Sequence, residues 1–368
     1  SGSVTGVQTC ALPICGTATL NLAGNLAQSD GDIDFISGDD GPPGQKGSLN
    51  IKGNFSQTGG TVRSTIIDPD VINGRITFNK TGIQTFTATD PENVSYTNFV
   101  INSGDTLKLV SDLGINRDIE PNWIGNFTVS SGGILDAGSH VIRSQIITEN
   151  FPPADIPLAF ANFNLSAGAK LITANATGVQ GSINTANNLT ANLSSAADYV
   201  FQGTSTGVFT TTPLANTLRD FVVNNTSGNL TLAMPLTITR QLNLTSGLLT
   251  TTTTNLPTIG VSGTATPATA TSFVNGPLAK TGTTAFTFPV GKSGAGFRNI
   301  GITAPSGSAT FRAEFVRDNP PAGTLEPTLV RVSSCEYWDL SKTAGGAGVS
   351  AKDRKSTRLN SSHRTGSR

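Results

Sequence analysis

Few side chains in this sequence have types and spacings that could do chemistry. The densest cluster is Ser29-Asp-Gly-Asp-Ile-Asp-Phe-Ile-Ser-Gly-Asp-Asp-Gly41, which brings Asp30, Asp32, Asp34, Asp39 and Asp40 into one glycine-rich loop. Closely spaced carboxylates with backbone carbonyls suit a hard cation, so these five residues are candidate Ca²⁺ ligands. EF-hand spacing is not met, because no Gly and Glu follow at the required positions, and solvated turn carboxylates are the competing reading. Gly291-Lys292-Ser293 has the ending of a phosphate-binding loop. That motif also needs a Gly five residues before Gly291, where Phe286 stands, and a following helix, which Gly294 and Gly296 oppose. His140, in Gly138-Ser-His140, is the one histidine outside the C-terminal tail, and a single histidine of this kind completes no Ser-His-Asp or Cys-His set. No catalytic residue and no cofactor other than Ca²⁺ is therefore assigned.

The rest of the composition describes a scaffold. The chain has 368 residues, of which only 13% are charged. Counting glycine, the apolar share is ordinary for a globular protein, so a core can form and what is missing is charge. The polar surface is rich in Thr, Ser and Asn, which favour strands and turns over helices. Helical bundles and coiled coils are excluded. Disorder is disfavoured too, because that state needs high charge and few β-branched or aromatic residues.

Both ends stand apart. Residues 1–14, containing Ser-Val-Thr-Gly-Val-Gln-Thr-Cys-Ala-Leu-Pro-Ile14, and residues 353–368, beginning Asp-Arg-Lys-Ser-Thr-Arg-Leu-Asn-Ser-Ser-His363, resemble translated sequencing-adapter sequence and are set aside from fold reasoning. Residues 15–352 then carry 19 basic and 23 acidic groups, a mildly acidic body. Nucleic acid is not an expected partner, since its binding needs clustered Lys and Arg. Cys10 and Cys15 fall in or beside the first end, leaving Cys335, so no disulfide framework or cysteine metal set can be built. No transmembrane segment is read, and the many Asn-x-Ser/Thr triplets follow from composition alone.

Within residues 16–262 one short pattern recurs: apolar, spacer, aliphatic, small polar residues, Gly, then another aliphatic. It reads Phe99-Val-Ile-Asn-Ser-Gly104-Asp-Thr-Leu107, Phe127-Thr-Val-Ser-Ser-Gly132-Gly-Ile-Leu135 and Phe163-Asn-Leu-Ser-Ala-Gly168-Ala-Lys-Leu171, with a variant at Leu242-Asn-Leu-Thr-Ser-Gly247. These are strand-turn-strand units in which alternate residues face inward and the Gly supplies a positive φ at the corner. One such coil cannot bury its inner face, whereas stacked coils bury it continuously. The expected fold is all-β: a right-handed parallel β-helix solenoid over 15–155 and 156–262, with about 25 residues per coil. Asn102, Asn126, Asn224, Asn225 and Asn229 are expected at corners, in αL backbone or as side-chain ladders. Pro152, Pro153 and Pro157 mark a loop between the two parts. Short strands with frequent turns would also suit a β-sandwich throughout.

After Gly263 the strands lengthen: Ala285–Val290, Arg298–Thr303 and Thr310–Val316, the last two flanking a hairpin signal at Ala304–Ala309. Phe311, Ala313 and Phe315 alternate with Arg312 and Glu314, as in a sheet buried on one side. Residues 263–352 are expected to form an antiparallel β-sandwich, truncated where the second adapter-like segment begins.

The runs Ala197-Asp-Tyr-Val-Phe-Gln-Gly203, Leu218-Arg-Asp-Phe-Val-Val-Asn-Asn-Thr-Ser-Gly228, Leu242–Thr250, Ser272–Ala279 with Phe288-Pro-Val-Gly-Lys292, and Ser334-Cys-Glu-Tyr-Trp338 resemble the large secreted surface repeat proteins of Bacteroidota. The resemblance implies export by the type IX route and an extracellular or outer-membrane-associated location. Glycans or other surface proteins would be the partners. The function expected is that of a non-catalytic surface scaffold or adhesin-like repeat protein. The alternatives are a glycan-binding module and a carbohydrate-active β-helix enzyme. A pectin hydrolase of that fold would resemble a pattern of Asn-Thr-Asp, paired Asp, Gly-His-Gly and Arg-Ile-Lys, whose carboxylates act as acid and base. Here Asp39-Asp40 precedes Gly138-Ser-His140 without the other two motifs.

Overall fold

A computed structural model of the protein describes residues 17–35, 46–63, 74–90, 94, 97–115, 124–144, 161–186, 188–203, 216–226, 228–321, 335–346 and 351–353. Strands dominate, most of them pair in parallel stacks, and the single α-helix among the described residues is the four-residue Val179–Ser182. The chain divides into two compact units, one covering residues 1–200 with 212–215, the other 201–211 with 216–368. Pro152, Pro153 and Pro157 lie outside the described residues.

In the first unit each repeat sends one strand into each of two long stacks. The first stack contains Thr17–Leu22, Lys46–Ile51, Gly74–Phe78, Thr97–Ile101, Gly125–Val129, Ala161–Leu165 and Leu189–Leu193, each parallel to the next. The second contains Leu26–Gln28, Phe55–Gln57, Gly82–Ala88, Asp105–Leu109, Ile134–Gly138 and Lys170–Thr173, also parallel. A third, shorter stack joins Leu113–Gly114, Ile142–Arg143 and Ile183–Asn184.

Register explains why the pattern in the sequence is conspicuous at phenylalanine. Leu49, Ile76, Phe99, Phe127 and Phe163 occupy one buried column of the first stack, continued in register by the exposed Leu20 at one end and the half-buried Ala191 at the other. Phe99, Phe127 and Phe163 are wholly buried, and their rings stack at centroid separations of 5.8 and 5.6 Å. Phe55 and Phe86 stack at 4.8 Å from the second sheet, and Phe86 meets Phe99 edge-on at 6.2 Å, so rings from both sheets fill one interior. Aromatic pairs in such geometry contribute beyond their buried area.

The corners between the first two stacks are built as the repeat predicts. Gly104, Gly132 and Gly168 have φ of 80°, 77° and 79°. Their amides tie one corner to the next: Gly82 N donates to Gly104 O, Gly104 N to Gly132 O and Gly132 N to Gly168 O, at 3.0, 3.0 and 3.1 Å. Of the two roles expected of the asparagines, αL backbone is not adopted. Among the described residues the non-glycine positions with positive φ are Thr81 and Asn188, so none of Asn102, Asn126, Asn224, Asn225 or Asn229 takes αL backbone. Asn126 lies within a strand, where its extended backbone turns the amide outward to meet neighbouring strands.

The second unit begins in the same style. Thr217–Asn224 pairs in parallel with Leu236–Ser246, which pairs with Pro257–Ile259, which pairs with Leu278–Gly282. A second parallel stack runs through Leu230–Thr231, Leu249–Thr250, Val274–Asn275 and Val290–Lys292. Parallel pairing thus continues past Gly263. Antiparallel pairs are interleaved with these stacks: Val290–Lys292 with Gly296–Phe297, and Ala309–Val316 with Leu278–Gly282 on one edge and Tyr337–Ala344 on the other. The hairpin read at Ala304–Ala309 does not form as a pair: Ile300–Ile302 pairs with Phe286–Phe288 instead. The alternation in Phe311, Ala313 and Phe315 fixes which face is buried but not which strand lies alongside.

Gly247, at φ 78°, separates conformational strain from steric clash. A Cβ there would lie 2.4 Å from Asn225 O and 2.7 Å from Gly228 O, whereas one on Gly138, at φ 54°, would meet nothing within 4 Å. Gly138→Ala should cost only the backbone term, about 1 kcal/mol, and Gly247→Ala at least about twice that. Urea titrations of both variants check this, and equal losses would refute it.

Candidate functional site

The acidic loop is partly visible. Asp32–Asp34 forms a short strand parallel to Thr61–Arg63, and residues two apart on a strand share a face. Arg63 takes up both carboxylates, with Nη2 3.4 Å from Asp32 Oδ2 and Nε 3.6 Å from Asp34 Oδ2. The Thr61 hydroxyl also donates to Asp32, and Asp30 accepts the Gly31 amide at 2.8 Å. A guanidinium therefore occupies the position between Asp32 and Asp34 that a bound cation would take. Among the described residues no group of three metal-ligating side chains converges, and Asp39 and Asp40 lie outside those residues.

The other sequence candidates are held in structural pairs. His140 Nδ1 lies 3.6 Å from Asp112 Oδ1, and the same oxygen accepts the Val141 amide at 3.0 Å, which locks one turn onto its neighbour. Lys292 ends the strand Val290–Lys292, with Nζ 3.7 Å from Glu314 Oε1. Gly296–Phe297 follows as an antiparallel strand, not a helix.

The sequence did not single out the buried ionisable groups, of which Asp105 and Lys280 carry consequences for stability. Asp105 opens the strand Asp105–Leu109 opposite Gly82, and its side chain is inaccessible to solvent. Its oxygens make no well-formed hydrogen bond, and burial raises its pKa above the usual carboxylate range, opposed by the backbone amides of Thr106 and Lys80 and by the Lys80 charge. The folded chain thus holds this proton more tightly than the unfolded chain. The associated stability is complete below the unfolded pKa and is lost as pH rises through the folded one. Asp105→Asn should therefore stabilise the protein at pH 7 by about 1 kcal/mol and give no gain below pH ~3.8. Thermal melts of both proteins across pH 3 to 7 check the trend, and a gain that grows on acidification would refute it. The second group, Lys280, is buried against backbone carbonyls and is taken up in the Discussion.

Outside the first stack run two polar columns. One contains Thr19, Ser48, Arg75, Asn98, Asn126, Asn162 and Thr190, the other Asn21, Asn50, Thr77, Val100, Thr128, Asn164 and Asn192. Their amides are hydrogen-bonded along the stack. Asn126 Nδ2 donates to Asn98 Oδ1 and Asn162 Nδ2 to Asn126 Oδ1, both at 3.2 Å, while Asn192 Nδ2 donates to Asn164 Oδ1 at 2.9 Å. Asn50 Nδ2 donates to Asn21 Oδ1 at 2.7 Å. Laddering between repeats was legible as a general habit of asparagine. Asn126 was among the residues expected to ladder, whereas its partners Asn98 and Asn162 were not, because the spacing changes between 28 and 36 residues from one repeat to the next.

In the second unit, Thr287, Asn299, Gly301 and Thr303 line an open recess of about 520 Å³ beside Phe286. Its lining sets these hydroxyls and the amide beside the apolar Ala285, Ile302 and Ala304. No protein-family model, curated protein or solved structure matches the chain. No helix among the described residues is long and apolar enough to cross a membrane.

Proposed function

We propose that the chain is a non-catalytic repeat scaffold of a cell surface, its parallel stacks forming a right-handed β-helix with β-sandwich strands beyond, adhesin-like in role. The observation that supports this reading is the division of labour in the first stack. One column of each strand is largely apolar and aromatic and turned inward, and the alternate columns, Arg75 and Val100 apart, are amides and hydroxyls over repeat after repeat. Such a wall is a rigid, extended support, and its outer groups are suited to many weak contacts with glycans or neighbouring surface proteins. Charged and polar side chains at the surface serve the frame: Arg63 pairs with Asp32 and Asp34, and His140 lies against Asp112.

The test is incubation of the purified protein with a panel of neutral and anionic polysaccharides, reading both retention and new chain ends. Retention without new reducing or unsaturated ends is expected. Steady release of chain ends would overturn the scaffold reading in favour of a carbohydrate-active enzyme. In cells that make the protein, protease applied to intact cells should remove it, and full protection would count against a surface location.

A further inference from the structure

We infer that the outer face of the strands Thr97–Ile101, Gly125–Val129, Ala161–Leu165 and Leu189–Leu193 is a binding surface for an ordered neutral polysaccharide, whose chains lie along the two polar columns. This rests on the scaffold reading and gives it a ligand class. Over these four strands the eight outward positions in the two columns contain five asparagines, two threonines and one valine, none of them charged and none fully buried. A charged partner gains nothing from such a face, and an apolar partner would strip water from amides without replacing their hydrogen bonds.

The array is also fixed in space before any ligand arrives. Neighbouring strands are about 4.8 Å apart and alternate residues on one strand about 6.7 Å apart, so the polar groups form a regular grid. The hydrogen bonds along each column hold the amide planes, which removes much of the ordering cost that surface asparagines otherwise impose on binding. Capacity remains for a ligand. Asn162 and Asn192 each spend one amide N–H on the adjacent strand, at 3.2 and 2.9 Å. Each of these amides has a second N–H and an Oδ1, a donor and an acceptor side by side. Thr190, exposed beside Asn162 in the same column, adds a hydroxyl of the same dual character. A polymer of repeating hydroxyls, each also donor and acceptor, matches that chemistry at every repeat. Each contact is weak, so binding must come from many contacts made by one chain.

The experiment measures equilibrium retention of the full chain on an insoluble neutral glucan, with soluble polygalacturonate and a short glucan oligosaccharide as competitors. Wild-type protein should be retained, and neither competitor should displace it. Asn162→Ala with Asn192→Ala should weaken retention about tenfold, as expected for two lost hydrogen bonds. Thr190→Glu, at an exposed position where folding is not at stake, should weaken it by a similar factor, while Ile83→Ser on the second stack should leave it unchanged. Retention unaffected by both column variants overturns the inference. So does displacement by polygalacturonate, or shaping of ice crystals without glucan retention, which would assign the grid to water. These outcomes leave the scaffold reading standing, because that reading falls on release of chain ends.

Discussion

Phe127→Ala should be the most damaging single truncation in the first unit, lowering stability by about 3–5 kcal/mol. Its ring is wholly buried between Phe99 and Phe163, in register with both. Removing it costs the transfer free energy of the ring and leaves a cavity between two aromatic faces that the parallel backbones hold apart, since strand spacing is set by main-chain hydrogen bonds and cannot close by a ring's width. The measurable signature is a lower urea midpoint with an unchanged slope, because the surface exposed on unfolding hardly changes. Adding Phe163→Ala should reveal coupling of about 0.5–1.5 kcal/mol between the two rings. A loss below about 1 kcal/mol for Phe127→Ala would mean that the column is not a continuous packed interior, and the stacked-repeat account of the first unit would fail with it. Ile83, largely exposed at 64%, provides the contrast, and its truncation should cost under about 0.5 kcal/mol.

These same residues show what the sequence could reveal. Phe99, Phe127 and Phe163 recur with a glycine five positions later, and both features have local causes: alternation puts one face inward, and a tight corner needs positive φ. Strand, corner and inward face were therefore legible, as was the all-β class. Pairing partners were less so. Thr310–Val316 reads as one arm of a local hairpin, yet it pairs with Leu278–Gly282, because a hydrophobic alternation fixes a face and leaves the neighbour open. The acidic loop illustrates the limit for chemistry. Asp30, Asp32 and Asp34 are close in sequence, but Arg63, which answers two of them, comes from the following repeat 29 residues beyond Asp34. Partners brought by stacking have no fixed spacing, so carboxylate clusters in repeat proteins read as ligand sets more readily than as ion pairs.

Lys280 was invisible for the same reason, and it carries the second large effect. Its strand is parallel to Pro257–Ile259, with Lys280 opposite Ile259, and its side chain is only 2% exposed. The ammonium donates to Gly260 O, Val261 O and Gly263 O at 2.6, 3.0 and 2.8 Å, satisfying all three of its N–H groups on one turn, and lies 5.6 Å from the Phe286 ring centroid. Lys280→Met keeps most of the stem's volume and removes the donors, leaving those carbonyls to find other partners. Charged hydrogen bonds lost at a buried site, offset by the ammonium's own desolvation, give an expected loss of about 2 kcal/mol. The pH dependence separates packing from charge. Burial lowers the Lys280 pKa below its ordinary value of 10.5, so the unfolded chain holds this proton more tightly than the folded one. The lysine's contribution is then greatest above the unfolded pKa and is lost as pH falls through the folded one. The deficit of Lys280→Met relative to wild type should accordingly widen as pH rises toward 10.5, read as the difference between two urea midpoints at each pH. A deficit that narrows instead would show that the carbonyl turn rewards the charge more than burial penalises it.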